Sequence, residues 1–261
     1  MGYRVIDKSP IMVTGCGGFI GSHITDFLLA GGRSVVGVDS CSSHGFNRKN
    51  LLGANSYSAF SFVFEKCDIC DTYKIINLCQ KYAIKTIINC AAETHVDRSI
   101  DDIVPFIHSN IQGVASLLQA CLILASEKIL FVHFSTDEVF GPFGEEDKEV
   151  WPLGFREDAP FNPQNPYAAT KAAAEHLIRA HRNTYGTEYL IVRPTNNYGP
   201  RQDKEKFIPS IVKSILSEEP IKIYGDGKQV RDWIFVKDTV DCLFQLLWKI
   251  RNDRDGADLL N

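Results

Sequence analysis

Residues 14–21 read Thr14-Gly15-Cys16-Gly17-Gly18-Phe19-Ile20-Gly21, and this stretch decides the fold. It follows the apolar triplet Ile11-Met12-Val13 and opens a helix-like segment, Ile20 to Ala30, that Gly31-Gly32 closes. A strand, a glycine-rich turn and a helix in that order form a phosphate cradle. Gly15 permits the tight turn, Gly18 lets the backbone approach a pyrophosphate, and Gly21 lets the helix pack on the sheet. Phe19 and Ile20 start the helix, whose free N–H groups face the negative charge. The next strand-like run, Ser34 to Val38, ends at Asp39. A carboxylate there binds a ribose 2′-hydroxyl and repels a 2′-phosphate, so the expected cofactor is NAD rather than NADP.

Working outward, strand-like and helix-like segments alternate. Strands are expected at Phe60–Phe64, Thr86–Asn89, Leu130–Phe134 and Glu188–Val192. Helices are expected at Tyr73–Tyr82, within Val104–Ala125 with Pro105 in the first turn, and at Pro166–Tyr185. This order predicts an α/β fold, a doubly wound parallel sheet of the Rossmann kind with helices on both faces. Asp68-Ile69 follows the third strand. Its carboxylate can receive an adenine amino group or cap the helix after it. Ala91-Ala92 after the fourth strand gives a small-residue shelf for the cofactor.

After Pro194 the texture changes to short strands, Ile221–Tyr224 and Trp233–Val236, around the turn Gly225-Asp226-Gly227, with a last helix from Asp238 to Lys249. The expected division is a cofactor domain over residues 1–193 carrying the catalytic residues, and a smaller C-terminal substrate lobe over 194–261. The last helix is a candidate to return to the first domain. Trp233 and Phe235 read as core, and the long loop from Pro142 to Asn165 as a flap over the site.

Composition narrows the function. The 261 residues carry a net charge of −4. Lys and Arg are scattered, which argues against a nucleic-acid surface. No run reaches ~18 uninterrupted apolar residues, so no membrane span is expected, and no charged-then-apolar leader opens the chain. A cytoplasmic location is expected. Of the eight Cys, Cys67 and Cys70 form a lone CxxC without a second pair, so no metal site is expected; Cys90 and Cys121 read as buried thiols.

The chemistry-bearing run is Ser135-Thr136-Asp137-Glu138-Val139-Phe140-Gly141, at the exit of the fifth strand. Farther on, Tyr167 and Lys171 stand one helical turn apart on one face. A free Tyr is a poor base at neutral pH, and a neighbouring ammonium lowers its pKa. Two adjacent carboxyls in opposite protonation states supply an acid and a base. The set fits a sugar oxidation coupled to loss of water.

With these stretches goes a series in order along the chain: NCAAETHVDRSI at 89–100, NPYAATKAAAEH at 165–176, RPTNNYGP at 193–200, EKFIP at 205–209 and GDGKQVRDWIFVKD at 225–238. The chain resembles the extended short-chain dehydrogenase/reductases, and among them the nucleotide-sugar 4,6-dehydratases, with the dTDP-glucose enzymes the nearest type. The resemblance implies a lyase that turns an NDP-glucose into its 4-keto-6-deoxy form, with NAD as a recycled hydride carrier. It implies Tyr167 as base at O4, Lys171 as its support, Thr136 as a hydrogen-bond partner of O4, Glu138 as base at C5 and Asp137 as acid at C6. His95, Asn197, Lys206, Phe207 and Arg231 are implied substrate contacts, and a homodimer is the implied assembly. The family continues for several tens of residues past Asn261, which implies an incomplete substrate lobe. Arg201-Gln202-Asp203-Lys204 departs from the family's more apolar pattern, leaving thymine and uracil both open. A decarboxylase or 4-epimerase on the same scaffold, or a non-catalytic nucleotide-binding protein, are the competing readings; the Asp137-Glu138 pair argues against both.

Overall fold

The computed structural model describes residues 9–42, 45–57, 61–144, 147, 154–221, 227 and 230–254. Six short strands form one parallel sheet in the order β3-β2-β1-β4-β5-β6. They are β1 (Ile11–Thr14), β2 (Val35–Asp39), β3 (Phe62–Lys66), β4 (Thr86–Asn89), β5 (Leu130–Phe134) and β6 (Tyr189–Val192). β1, β2 and β4 are buried along their whole length, as expected of central strands covered on both faces. Alternate residues feed two cores. Met12, Val36 and Ile87 point to one; Ile11, Val13, Val35 and Ile88 point to the other.

On the first face lie α2 (Thr72–Lys81), α4 (Val104–Ile123) and α5 (Pro166–Tyr185). On the second lies α1 (Phe19–Ala30). The chain crosses from β3 back over β1 to β4, so the strand order reverses between β1 and β4. In such sheets ligands bind in the crevice beyond the strand ends at that point.

Several elements differ from expectation. A short helix, α3 (Val96–Asp101), precedes α4. α4 is interrupted by a π-helical turn over Ile107–Gln112. That wide turn carries Asn110, which is almost fully buried and bonds Glu93 N, Glu93 O and Thr170 Oγ1. α4 is also the one helix among the described residues long and apolar enough to cross a membrane, and half of its most apolar stretch is buried inside this fold.

Beyond β6, β7 (Asn196–Tyr198) pairs in parallel with β8 (Trp233–Phe235), and α6 (Phe207–Leu216) lies between them. The expected core residue Trp233 is 38% exposed: a two-stranded sheet has too little cover to bury it. The expected strand at Ile221–Tyr224, the turn at Gly225-Asp226-Gly227 and the segment from Gly256 to Asn261 fall wholly or partly outside the described residues. The last helix, α7 (Val236–Arg254), is longer than expected. It returns to the main sheet, where Phe244 stacks on Phe27 of α1 at 4.4 Å between ring centroids.

The described residues of the expected flap pack beside the 3-10 turn after β5. Phe155 and Phe161 pack with Phe140 and Ala172, and Asn162 N bonds Val139 O. None of the loop's described residues lines the cavity over the strand ends.

Candidate active site

A cavity of about 790 Å³ opens above the C-terminal ends of the central strands. That is within the usual range for small-ligand sites, ~300–1,000 Å³. Gly15, Gly18, Phe19, Ile20 and Gly21 form its floor, with Asp39, Asp68, Ile69, Ala91 and Ala92 on the walls. Gly15 has φ +67°, and a Cβ there would lie 2.7 Å from Ala91 N. A Cβ on Gly21 would lie 2.2 Å from Gly15 O. No side chain caps the first turn of α1, and the cavity is walled there by main chain, as a pyrophosphate requires. Asp39 ends β2 and is nearly buried; its carboxylate accepts from Gly17 N and Cys41 N, each at 3.0 Å. Burial raises its pKa, and those two backbone bonds oppose the rise. The residues fit a dinucleotide.

Asp68 is not the cap of α2. Asp71 takes that position and accepts from Lys74 N at 3.0 Å. Asp68 instead accepts from Cys70 N, and its other oxygen lies 3.2 Å from His108 Nε2. His108 and Asp68 both line the cavity. Cys70 joins them in a group of possible metal ligands, but it sits on the Nδ1 side of the ring and Asp68 on the Nε2 side.

The catalytic candidates gather at the exit of β5. Thr136 Oγ1 accepts from Glu138 N at 3.3 Å and starts a 3-10 turn over Asp137–Phe140. This presents Thr136 and Glu138 to the cavity, with Tyr167 opposite. Asp137 lies behind, its carboxylate oxygen 3.3 Å from the Thr136 hydroxyl. Burial, and then the nearby Glu138, raise the Asp137 pKa against a lowering by Thr136. The Tyr167 phenol is held above its ordinary pKa by burial first and Glu138 next; a hydrogen bond with Thr136 acts the other way.

Lys171 differs from expectation. It is 2% exposed, outside the cavity wall, and Nζ donates to Phe134 O at 2.5 Å with His133 Nε2 at 3.2 Å. Burial lowers it to about 8. Nζ is thus turned to the Phe134 carbonyl and the His133 ring, one helical turn along α5 from Tyr167.

Among the expected substrate contacts, Asn197 and Lys206 line the cavity. Lys206 Nζ reaches Thr94 O at 3.1 Å, and burial lowers its pKa. Asn197 is tied at both ends of its amide, to Thr195 O and to Thr239 Oγ1 of α7. His95, Phe207 and Arg231 are not brought into the cavity wall. His95 begins α3 and faces Glu205 at 3.7 Å. Phe207 stacks on Trp233. Arg231 is exposed and donates to Val230 O.

Three residues of the site escaped the sequence reading. Ser135 lines the cavity with a buried hydroxyl that has no protein partner, a group left for a ligand. Asn165 caps α5 and donates to Glu138 Oε2 at 2.9 Å. His133, fully buried, touches Lys171. Asn165 had a signal, an Asn directly before Pro166 at a helix start; the other two had none.

A family model described as the NAD dependent epimerase/dehydratase family matches residues 11–259. The dTDP-glucose 4,6-dehydratase of Neisseria gonorrhoeae is 39% identical over 249 residues, covering 92% of this chain and 69% of the relative. The crystal structure of DesIV, a dTDP-glucose 4,6-dehydratase from Streptomyces venezuelae with NAD and TYD bound, superposes with a TM-score of 0.83. It is 35% identical over 92% of this chain and 72% of its own. UDP-glucuronic acid 4-epimerase from Bacillus cereus, in complex with UDP-glucuronic acid and NAD, superposes at 0.80 with 30% identity, covering 91% of this chain and 73% of its own.

Proposed function

The chain belongs to the NAD dependent epimerase/dehydratase family, and we propose that within it this protein is a nucleotide-sugar 4,6-dehydratase acting on dTDP-glucose. The observation that carries this reading is the pair Asp137-Glu138 beside Tyr167, with the Asp137 carboxyl raised by burial. An epimerase needs one base and no acid for a leaving hydroxyl. A carboxyl held toward its protonated form beside a second carboxylate supplies both.

The cradle of Gly15, Gly18 and Gly21 would hold NAD by its pyrophosphate, with Asp39 on a ribose and Asp68 beside the adenine. When bound, NAD supplies the acceptor for hydrogen removed at C4, its return at C6, and a positive charge near the phenol. Tyr167 takes the O4 proton, and Thr136 holds O4. The C4 ketone acidifies C5, and Glu138, held in place by Asn165, removes that proton; a proton returns to C5 when C6 is reduced. Asp137 protonates the departing C6 hydroxyl. Asn197 and Lys206 are the substrate-facing groups of a lobe that begins after residue 193; the other three proposed contacts would need the lobe to close on substrate. We place a homodimer face on α4 and α5, where Val104, Ile107, Ile123, Leu177 and Tyr185 are exposed, and the protein in the cytoplasm.

The test is incubation with NAD and either dTDP-glucose or UDP-glucose, followed by product mass. A product one water lighter from dTDP-glucose is expected; an unchanged mass with inverted C4 would make the epimerase reading correct. Glu138→Gln and Asp137→Asn should stop after oxidation, each losing ~10²–10⁴-fold in dehydration, with NADH absorbance accumulating. Near wild-type release of 4-keto-6-deoxy product from both variants would sink the assignment.

A further inference from the structure

Beneath the cavity floor, four buried polar side chains join hands across the sheet. Thr14 pairs in register with Asn89 of β4, and Asn89 with His133 of β5. The Thr14 hydroxyl lies 2.5 Å from Asn89 Oδ1, Asn89 Nδ2 lies 3.1 Å from His133 Nδ1, and His133 Nε2 lies 3.2 Å from Lys171 Nζ. Each is 2% exposed or less. Such a chain is costly in a core unless every group is satisfied. A set of apolar residues would pack these strand ends with less risk.

We propose that His133 is the positioning residue that fixes the aim and charge state of Lys171, through the ladder Thr14–Asn89–His133–Lys171. The inference rests on the reading of Tyr167 and Lys171 as the oxidation pair, and it assigns a role to residues outside that pair.

The ladder has two self-consistent proton arrangements. In one, Thr14 donates to Asn89 Oδ1, Asn89 Nδ2 donates to His133 Nδ1, and His133 Nε2–H donates to a neutral Lys171 amine. In the other, the Lys171 ammonium donates to Nε2, Nδ1–H donates to Asn89 Oδ1 after the amide turns over, and Nδ2 donates to Thr14 Oγ1. A neutral imidazole serves both, since one nitrogen donates while the other accepts. Burial keeps His133 neutral, and the Lys171 charge acts the same way. Lys171 therefore has a partner at His133 in either charge state, and its second anchor, Phe134 O, fixes the direction of Nζ. The other ionisable groups facing Lys171 are Cys90 and Glu175; both favour the ammonium, and Glu175 is already taken by Arg193 at 2.6 Å. Glu138 and Asp137 face Tyr167.

The direction of the effect follows. Without an acceptor at Nε2, the ammonium loses a partner in a dry site, so Lys171 releases its proton at lower pH. Tyr167 then works without the ammonium that this reading sets one helical turn away, and oxidation needs a more alkaline medium. His133→Leu should move the acid limb of the single-turnover oxidation rate up by about one pH unit, roughly a tenfold loss near neutrality that is recovered at higher pH. His133→Gln, whose amide also both donates and accepts, should restore most of the profile. A purely structural role would lower the melting temperature and the active fraction while leaving the limb in place. That result in a folded His133→Leu that still binds NAD overturns the inference.

Should His133→Leu not fold, ¹⁵N-histidine spectra of the unsubstituted protein decide. They should show His133 neutral throughout, protonated on Nδ1 below about pH 8 and on Nε2 above it. One fixed tautomer across that range defeats the ladder. Tyr167→Phe separates the two levels. If it still oxidises substrate, the reading of the site fails; if it is dead and the His133→Leu limb is unmoved, only this inference fails.

Discussion

Asp39 shows how much a single side chain can carry. Its carboxylate is aimed at the cofactor cradle and at the same time closes the turn by accepting from Gly17 N and Cys41 N. Asp39→Ala should weaken NAD binding by ~1–3 kcal/mol, the scale of a lost charge-assisted hydrogen bond. NADP binding should weaken less or improve, because the repulsion of a 2′-phosphate goes too. Calorimetry with both dinucleotides checks this, and equal NAD affinity in the two proteins would take Asp39 out of the site. Asp39 was legible because its position is local, the last residue of a strand after a glycine turn. Ser135 and His133 were not. His133 acquires its partners only when β4 and β5 align Asn89 opposite it and α5 lays Lys171 on top. Nothing in the sequence around His133 states that register. The direction of Lys171 was not legible for the same reason: spacing puts it one turn from Tyr167, but where Nζ points is set by Phe134 O.

At the scale of elements, α5 was readable to its ends because its signals are chemical and local. Asn165 caps it, Pro166 fills the first turn, and Gly186 ends it with φ +76°. Asn165 also ties the helix to the 3-10 turn that carries Glu138. Asn165→Ala should cost about 1 kcal/mol in stability from the lost cap and should slow proton removal at C5. Asn165→Asp separates the two roles. It keeps a capping oxygen, so the denaturation midpoint should stay close to that of the parent. It sets a carboxylate against Glu138, so exchange of the C5 hydrogen with solvent deuterium should fall. Normal exchange in Asn165→Asp would mean that Glu138 does not depend on this tie. Other elements left weaker marks. α3 has six residues, too few for a periodic pattern. The π turn in α4 carries Asn110, whose partners Glu93 and Thr170 are distant in sequence and leave no local mark. β7 reads Asn-Asn-Tyr and becomes a strand only by pairing with β8.

Over the whole molecule, the chain closes on itself through α7. After the β7–β8 excursion, Val240, Leu243, Phe244 and Leu247 enter the core beside Ile24 and Leu28 of α1. Two polar ties reinforce the seam: Arg201 pairs with Asp26 at 2.5 Å, and His23 Nε2 meets Pro200 O at 2.9 Å. A third, Thr239 Oγ1 to Asn197 Oδ1 at 2.6 Å, links α7 to a residue of the cavity wall. The cavity-lining residues after residue 193 are therefore mounted on the same core that carries the cofactor cradle. Phe244→Ala removes a ring that is 7% exposed and stacked on Phe27. Truncations of that kind typically cost ~3–5 kcal/mol, with the lower part of the range expected here because the site lies at the edge of the core. If α7 is integral, denaturation should stay a single transition with a lowered midpoint, and NAD should bind the folded fraction with unchanged affinity, since Phe27, on which the ring stacks, lies about two turns along α1 from the cradle. A midpoint within ~0.5 kcal/mol of the parent would show α7 to be an appendage. Two transitions would show that the lobe after residue 193 folds apart from the sheet.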